Sequence, residues 1–391
     1  MRSSVFQFTL PRVDQNLVDR ILRDVEHAIR SRFWDGVARG SDYSRASILA
    51  AADTALASVA DVAGVLSKRE ELLAAEQPGL SLIMQGGKRW RPLLLVLICR
   101  LYGGEERLAV EIAAAVELAH NGSLIIDDIE DGADLRRGEV TAHRRFGLDA
   151  AVNGGNLLYC LPGQIFAALG LEKETELALH RLYWRALVRL HYGQGLDISW
   201  HGDPARMPTV AEYLAMCQLK SGSTAGLSAR LGAMLAGAKP QDADTLAAAG
   251  EDFGVSFQII DDVRNLTTGN PGKMRGDDLV EGKKSLPLLL AVSKDAATAA
   301  QLGSILARIA ALNSGNEDPS LPQPLSDERS QEQAGLIEEA IAAMHAVDSV
   351  DEARQLAEAR YQCTREIIER LASVDASILS TLLAFTDRLI A

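Results

Sequence analysis

Two short stretches hold the residues best suited to chemistry. In S-L-I-I-D-D-I-E-D, Ser123 to Asp131, and again in F-Q-I-I-D-D-V-R-N, Phe257 to Asn265, paired aspartates follow a run of apolar residues. Residues four apart on a helix share a face, so Asp127 and Asp131 point the same way with Asp128 beside them. Asp261 and Asp262 form the second cluster, with Asn265 at the fourth-on position. A solvated acidic face would explain one such cluster. Here each interrupts a strongly apolar helix (Leu124, Ile125, Ile126; Phe257, Ile259, Ile260), which brings the carboxylates to the edge of the core. Unpaired charge is costly there. Hard oxygen ligands facing one another across a cavity suit magnesium, which in turn favours a shell shared with phosphate oxygens.

Basic residues cluster around the same motifs. Arg136 and Arg137 follow the first in D-L-R-R-G, Lys220 sits between the two in Q-L-K-S-G, and Lys273 follows the second in the Gly-rich T-T-G-N-P-G-K-M-R-G-D-D. Lys88, Arg89 and Arg91 add a further group in G-G-K-R-W-R-P. Any one of these is ordinarily a solvated side chain; their concentration argues for phosphate binding. The expected site is an apolar pocket roofed by metal-binding acids and ringed by bases, which suits a long hydrocarbon ester of diphosphate.

The elements that position these residues read as helices. The chain has 391 residues, 47% hydrophobic and 24% charged, enough for a large core at the upper edge of one domain. Ala and Leu are plentiful and strand alternation is weak, so the expected class is all-α. Leu17, Val18, Ile21, Leu22, Val25 and Ile29 mark a helix within residues 13–33. A second is expected over about 47–65, and a third leads into Gly86. Residues 313–330, polar and Pro-rich, read as a loop between helices. The net charge of −13 argues against a nucleic-acid partner. Cys99, Cys160, Cys217 and Cys363 are scattered and form neither a zinc site nor a disulfide framework. Apolar runs such as Leu93 to Cys99 are too short to span a bilayer, and the N-terminus lacks a signal-peptide core. A cytoplasmic protein with no membrane anchor is expected.

Taken in order, G-G-K-R-W-R-P, E-L-A-H-N-G-S-L-I-I-D-D-I-E-D, L-R-R-G, L-K-S-G, F-Q-I-I-D-D-V-R-N and G-K-M-R-G-D-D-L-V-E-G-K-K-S-L-P resemble the trans-isoprenyl diphosphate synthases. The resemblance runs from about Leu80 to the C-terminal helices and leaves residues 1–79 as a helical extension of unknown role. It implies the isoprenoid synthase helical bundle around a deep central apolar cavity, and a homodimer. It implies that Asp127, Asp131 and Asp261 ligate magnesium, three ions per site, with Asp128 and Asp262 in support. Arg136, Lys220 and Lys273 would hold an allylic diphosphate, with Gln258 and Ser221 near the reacting carbons. Lys88, Arg91, His120 and Arg137 would hold isopentenyl diphosphate. Asn265 departs from the commonest pattern, which has a third aspartate there, and so is doubtful as a direct ligand. A branch related to the geranylgeranyl diphosphate synthases of fungi and animals is similar at this position, in V-N-G-G-N-L-L-Y and in H-Y-G-Q-G-L-D-I-S-W.

By the same resemblance, product length is set along the helix of the first motif. Gly122 and Ser123 are its expected upper wall, without the aromatic that stops growth at fifteen carbons; Ala119 and Ala115 leave the channel open below. Tyr159 and His191 match the floor of the named branch, while Cys160 replaces a common aromatic. A twenty-carbon product is expected, or a longer one if Cys160 opens the floor. Two rivals stay open. A class I terpene cyclase would share the metal chemistry without needing the second diphosphate pocket, and a non-catalytic partner subunit would typically lose the aspartate pairs.

Overall fold

The apolar periodicity of the sequence resolves into a helical bundle in a computed structural model that describes residues 14–35, 69–201, 203, 205–269, 274–313, 327–371 and 375–391. The helix expected over 47–65 lies outside the described residues, as does most of the 313–330 loop; helix resumes at Asp327.

The first helix, α1 (Gln15–Arg30), is capped by Asp14, whose carboxylate accepts from the Leu17 amide, and buries Val18, Ile21, Val25, Ala28 and Ile29. A single π turn continues it to Asp35. Next come α2 (Arg69–Met84), α3 (Trp90–Leu101) and α4 (Glu106–Glu130). Because α4 is buried nearly all round, from Ile112 to Ile125, it forms the centre of the bundle. Among the described residues it is the one helix long and apolar enough to cross a membrane, but 72% of that apolar window is buried inside the protein. Its apolarity serves the core.

A two-stranded hairpin follows, β1 (Leu135–Arg136) against β2 (Glu139–Val140), with Arg136 opposite Glu139. Its two turn residues, Arg137 and Gly138, both have positive φ, 55° and 82°, as a tight hairpin turn of this hand requires. Then come α5 (Ala142–Phe146), α6 (Leu148–Ala168), α7 (Lys173–His201) and α8 (Val210–Cys217). A capping box of Thr209 and Glu212 starts α8, and a π turn at Gln218–Gly222 joins it to α9 (Ser223–Leu235). Next is α10 (Pro240–Leu266), which begins on a proline. The chain ends with α11 (Asp277–Val280), α12 (Leu286–Lys294), α13 (Ala296–Asn313), α14 (Asp327–Ala346), α15 (Ser349–Leu371) and α16 (Ala376–Ile390).

Glycine allows the closest approaches. A Cβ on Gly122 would lie 2.8 Å from the carbonyl oxygen of Gly155 on α6, and one on Gly193 of α7 would lie 2.4 Å from the backbone nitrogen of Lys220. Those two contacts fix how α4 meets α6 and how α7 meets the π turn. The motif-bearing ends of α4 and α10 open together into one cavity.

Candidate functional site

A cavity of about 610 Å³ brings both aspartate clusters and both groups of bases to one space. Asp127 comes from the last turn of α4, Asp261 and Asp262 from α10, Arg136 from the hairpin, and Lys220 with Ser221 from the π turn. The extra residue of that turn lets a lysine and a serine from consecutive positions both face the cavity.

The acids are held by ammonium and guanidinium groups. Lys220 Nζ lies 3.0 Å from Asp127 and 2.7 Å from Asp197. Lys283 Nζ reaches Asp131 at 2.6 Å, and Lys88 Nζ stands 3.8 Å from Asp261. Arg136 clasps the buried Asp128 through Nε at 2.7 Å and through a second, shorter contact from Nη2. Burial works to raise the Asp127 pKa, but the cations of Lys220, Lys283 and Arg136 outweigh it and hold that carboxyl well below the usual range. Asp131 moves the other way: burial raises it, repulsion from Asp127 adds, and Lys283 only partly offsets both. Burial pushes Asp262 up to about 6, although it accepts from Tyr213 Oη at 2.6 Å, Gln258 Nε2 at 3.1 Å and the Leu286 amide at 3.1 Å. Ser221 Oγ donates to Gln258 at 2.8 Å.

No three His, Cys, Asp or Glu side chains among the described residues close into a ready-made metal cage. That fits magnesium, which is commonly held by one or two carboxylates together with substrate phosphates and its own waters. The donor set fits too: Asp127 and Asp261 line the cavity, and Asp131, whose oxygens lack a hydrogen-bond donor apart from the Lys283 contact, lies one turn on from Asp127. Asp128 and Asp262 are committed to Arg136 and to Tyr213, Gln258 and Leu286, so they orient neighbours. Asn265 is wholly buried and is not among the residues lining the cavity.

The second cationic group, Lys88, Arg91, His120 and Arg137, lines the same cavity. Arg91 donates to Thr224 Oγ1 at 3.0 Å and its Nη1 lies 3.3 Å from His120 Nε2. Arg137 donates to the carbonyls of Leu82 and Gly86. Burial pulls Arg91 down to about 10, partly countered by Glu117 and Asp261. Arg137 is likewise drawn down to about 10, by burial and then by Arg89. His120 falls well below its usual value through burial and the arginines 91, 137, 89 and 136.

The walls beneath are apolar. Leu124, Ile126 and Phe257 line the cavity with Ser123, Tyr159 and His191; the last two rings are 5.3 Å apart. Tyr183 Oη donates to the Tyr159 carbonyl at 2.6 Å. A second, small apolar space lies beyond, between Val116, Ala119, Tyr183 and Leu187, and Leu190 borders both spaces.

Two expected wall residues are elsewhere. Gly122 packs against Gly155 and Leu158 of α6, where its missing Cβ lets the helices meet. Cys160 is exposed, because one step along α6 from Tyr159 rotates it off the cavity. Lys273 lies outside the described residues. Three residues were missed. Gln194 donates to Asp127 at 3.0 Å and to Glu130 at 2.7 Å, Asp197 binds Lys220, and Lys283 binds Asp131. The stretches holding them, H-Y-G-Q-G-L-D-I-S-W and V-E-G-K-K-S-L-P, carried the signal, but nothing in their spacing names a partner.

Comparison with known proteins agrees with this geometry. The model of the family described as "Polyprenyl synthetase" matches residues 74–315. The geranylgeranyl diphosphate synthase of Methanosarcina mazei is 34% identical over 231 residues, 59% of this chain and 70% of that one. The octaprenyl diphosphate synthase of Escherichia coli is 33% identical over 249 residues, 62% and 75% of the two chains. A crystal structure of polyprenyl synthase from Caulobacter crescentus, complexed with calcium and isoprenyl diphosphate, superposes with a TM-score of 0.72 at 24% identity over 98% of each chain, a likeness of fold.

Proposed function

Because this chain belongs to the polyprenyl synthetase family, we propose that it condenses isopentenyl diphosphate with an allylic diphosphate to give a longer trans-prenyl diphosphate, of twenty carbons. One observation carries the reading. A single cavity presents two aspartate clusters and, beside them, the further basic group of Lys88, Arg91, His120 and Arg137. A terpene cyclase needs the first feature and has no use for the second.

In this reading Arg136, Lys220 and Lys283 bind the allylic diphosphate, with Lys273 from the adjoining segment. Magnesium held by Asp127, Asp131 and Asp261 would add positive charge at the departing pyrophosphate. The allylic C–O bond breaks with its electron pair going to the diphosphate. The double bond of isopentenyl diphosphate, positioned by Arg91 and Arg137, supplies the electrons of the new C–C bond, and a proton then passes to the released pyrophosphate. Ser221 and Gln258 present oxygen dipoles to the cation. The Leu124, Ile126 and Phe257 walls keep water from trapping it.

Tyr159 and His191 support the twenty-carbon length, since they stand together across the apolar channel. We read the chain as a homodimer on its stripe of exposed apolar residues along α7, and as cytoplasmic on its free cysteines.

The test is a product assay. Protein, magnesium and isopentenyl diphosphate are incubated with dimethylallyl, geranyl, farnesyl or geranylgeranyl diphosphate, and the dephosphorylated alcohols are identified by mass spectrometry. The expected product is a C20 alcohol, lost in Asp127→Ala and Asp261→Ala. Hydrocarbon formed without isopentenyl diphosphate would make the chain a cyclase. A longer alcohol would mean that the tail passes Leu190 into the space beyond.

A further inference from the structure

The loop that carries Lys88 is tethered from outside the residues matched by the family model. Three residues of the Gln85–Arg89 segment have left-handed or extended positive φ: Gly86 at 76°, Gly87 at 148° and Arg89 at 45°. The two glycines adopt this freely; for Arg89 it is a strained conformation that surrounding contacts must hold. Its side chain is 3% exposed and is held by three partners. Nε donates to Glu26 at 2.6 Å, Nη1 to Glu117 at 2.8 Å, and Nη2 to the Ile83 carbonyl at 2.9 Å. Glu117 and Ile83 belong to the bundle. Glu26 belongs to α1, upstream of residue 74 where the family match begins.

Charge makes this contact more than a tie. Arg89 lies between Lys88 and Arg91 in sequence and adds to the positive field at His120 and Arg137. With two carboxylates on it, Arg89 is compensated and does not compete for the incoming anion. With only Glu117, which also accepts from Asn121 at 3.3 Å, a buried guanidinium is left half-paired. Arg89 also borders the cavity, so a half-paired guanidinium is expected to shift toward it, carrying the strained backbone beside Lys88.

We propose that Glu26 is a positioning residue for the second diphosphate pocket: α1 docks on the bundle so that this carboxylate fixes Arg89, and through it the loop that aims Lys88 and leads into α3, which bears Arg91. The inference rests on the reading that this pocket takes isopentenyl diphosphate. It also gives the N-terminal helix a task in substrate selection.

The experiment is steady-state kinetics on the full chain with each substrate varied in turn, for wild type, Glu26→Gln, Glu26→Asp and Arg20→Gln. The control is chosen because Arg20 docks the same helix through a bidentate pair with Glu106, one arm at 2.9 Å, away from the loop. Glu26→Gln should raise KM for isopentenyl diphosphate about tenfold, as one buried charged contact is worth, with KM for the allylic substrate unchanged. Glu26→Asp should recover part of the difference. Arg20→Gln should lower Tm and leave the ratio of the two KM values as in wild type. Equal changes in Glu26→Gln and Arg20→Gln would reduce Glu26 to a helix-docking contact and overturn the inference, as would an unchanged KM in Glu26→Gln. A wild type that makes no elongated product at all would instead overturn the functional reading on which the inference stands.

Discussion

Gln194 is neutral, yet it touches both Asp127 and Glu130, keeping two acids at the mouth of α4 in fixed orientation while each remains available to a cation. Residues that orient a ligand in this way commonly cost 10–100-fold when removed. Gln194→Leu is therefore expected to lower kcat by about that factor while circular dichroism and Tm stay close to wild type. His120 makes a prediction about pH. Burial and the surrounding arginines lower its pKa, so below its usual value of 6.5 the folded chain binds fewer protons there than the unfolded chain. The stabilising contribution is present above that pH and lost as pH falls. Between about pH 7 and about pH 5, wild type should lose more stability than His120→Gln, read from urea unfolding at both values. At this scale the sequence was informative about identity and silent about pairing. Asp127, Lys220 and Arg91 are legible because acid next to apolar, and base next to acid, is costly without a reason. That Asp128 is spent on Arg136 and Asp262 on Tyr213 depends on distances between helices far apart in the chain.

The π turn at Gln218–Gly222 can form where it does because Gly193 on α7 leaves room for it. Any side chain at 193 must push the Lys220 backbone away, taking the ammonium from Asp127 and Asp197. Gly193→Ala should cost about 2 kcal/mol, the usual scale for overpacking, and should raise KM for the allylic substrate, measured by calorimetry and kinetics on the same sample. Helix existence was readable from periodicity; helix phase was less so. Tyr159 and Cys160 are neighbours in sequence, and only the docking of α6 on α4 through Gly122 and Gly155 decides that the tyrosine faces the tail and the cysteine faces out. The hairpin was unreadable as strand, since two residues a side give no alternation, although R-R-G marks its turn.

Seen whole, the described residues leave a large apolar face uncovered. Leu177, Trp184, Val188, Tyr192 and Leu196 follow one another at helical spacing along α7, and Trp184 and Tyr192 are 49% and 70% exposed. The acidic net charge of −13 would keep bare monomers apart elsewhere on the surface, so this stripe is where copies should meet. On the homodimer reading, wild type is expected to sediment as a dimer and a Trp184→Glu, Tyr192→Glu double variant as a monomer; identical sedimentation would remove the stripe as the interface. The interior has its own logic of pairing. Lys220 with Asp127, Lys283 with Asp131 and Lys88 with Asp261 already satisfy one another across the mouth of the cavity. A divalent cation alone must displace ammonium groups from these carboxylates, leaving Lys220 only Asp197 and Lys283 only Glu281, and a diphosphate alone must displace carboxylates. Arriving together, each visitor accepts the partner the other has dislodged. The site therefore works as a coincidence detector: calorimetry should register little heat from either magnesium or diphosphate by itself and a strong, saturable signal from the pair.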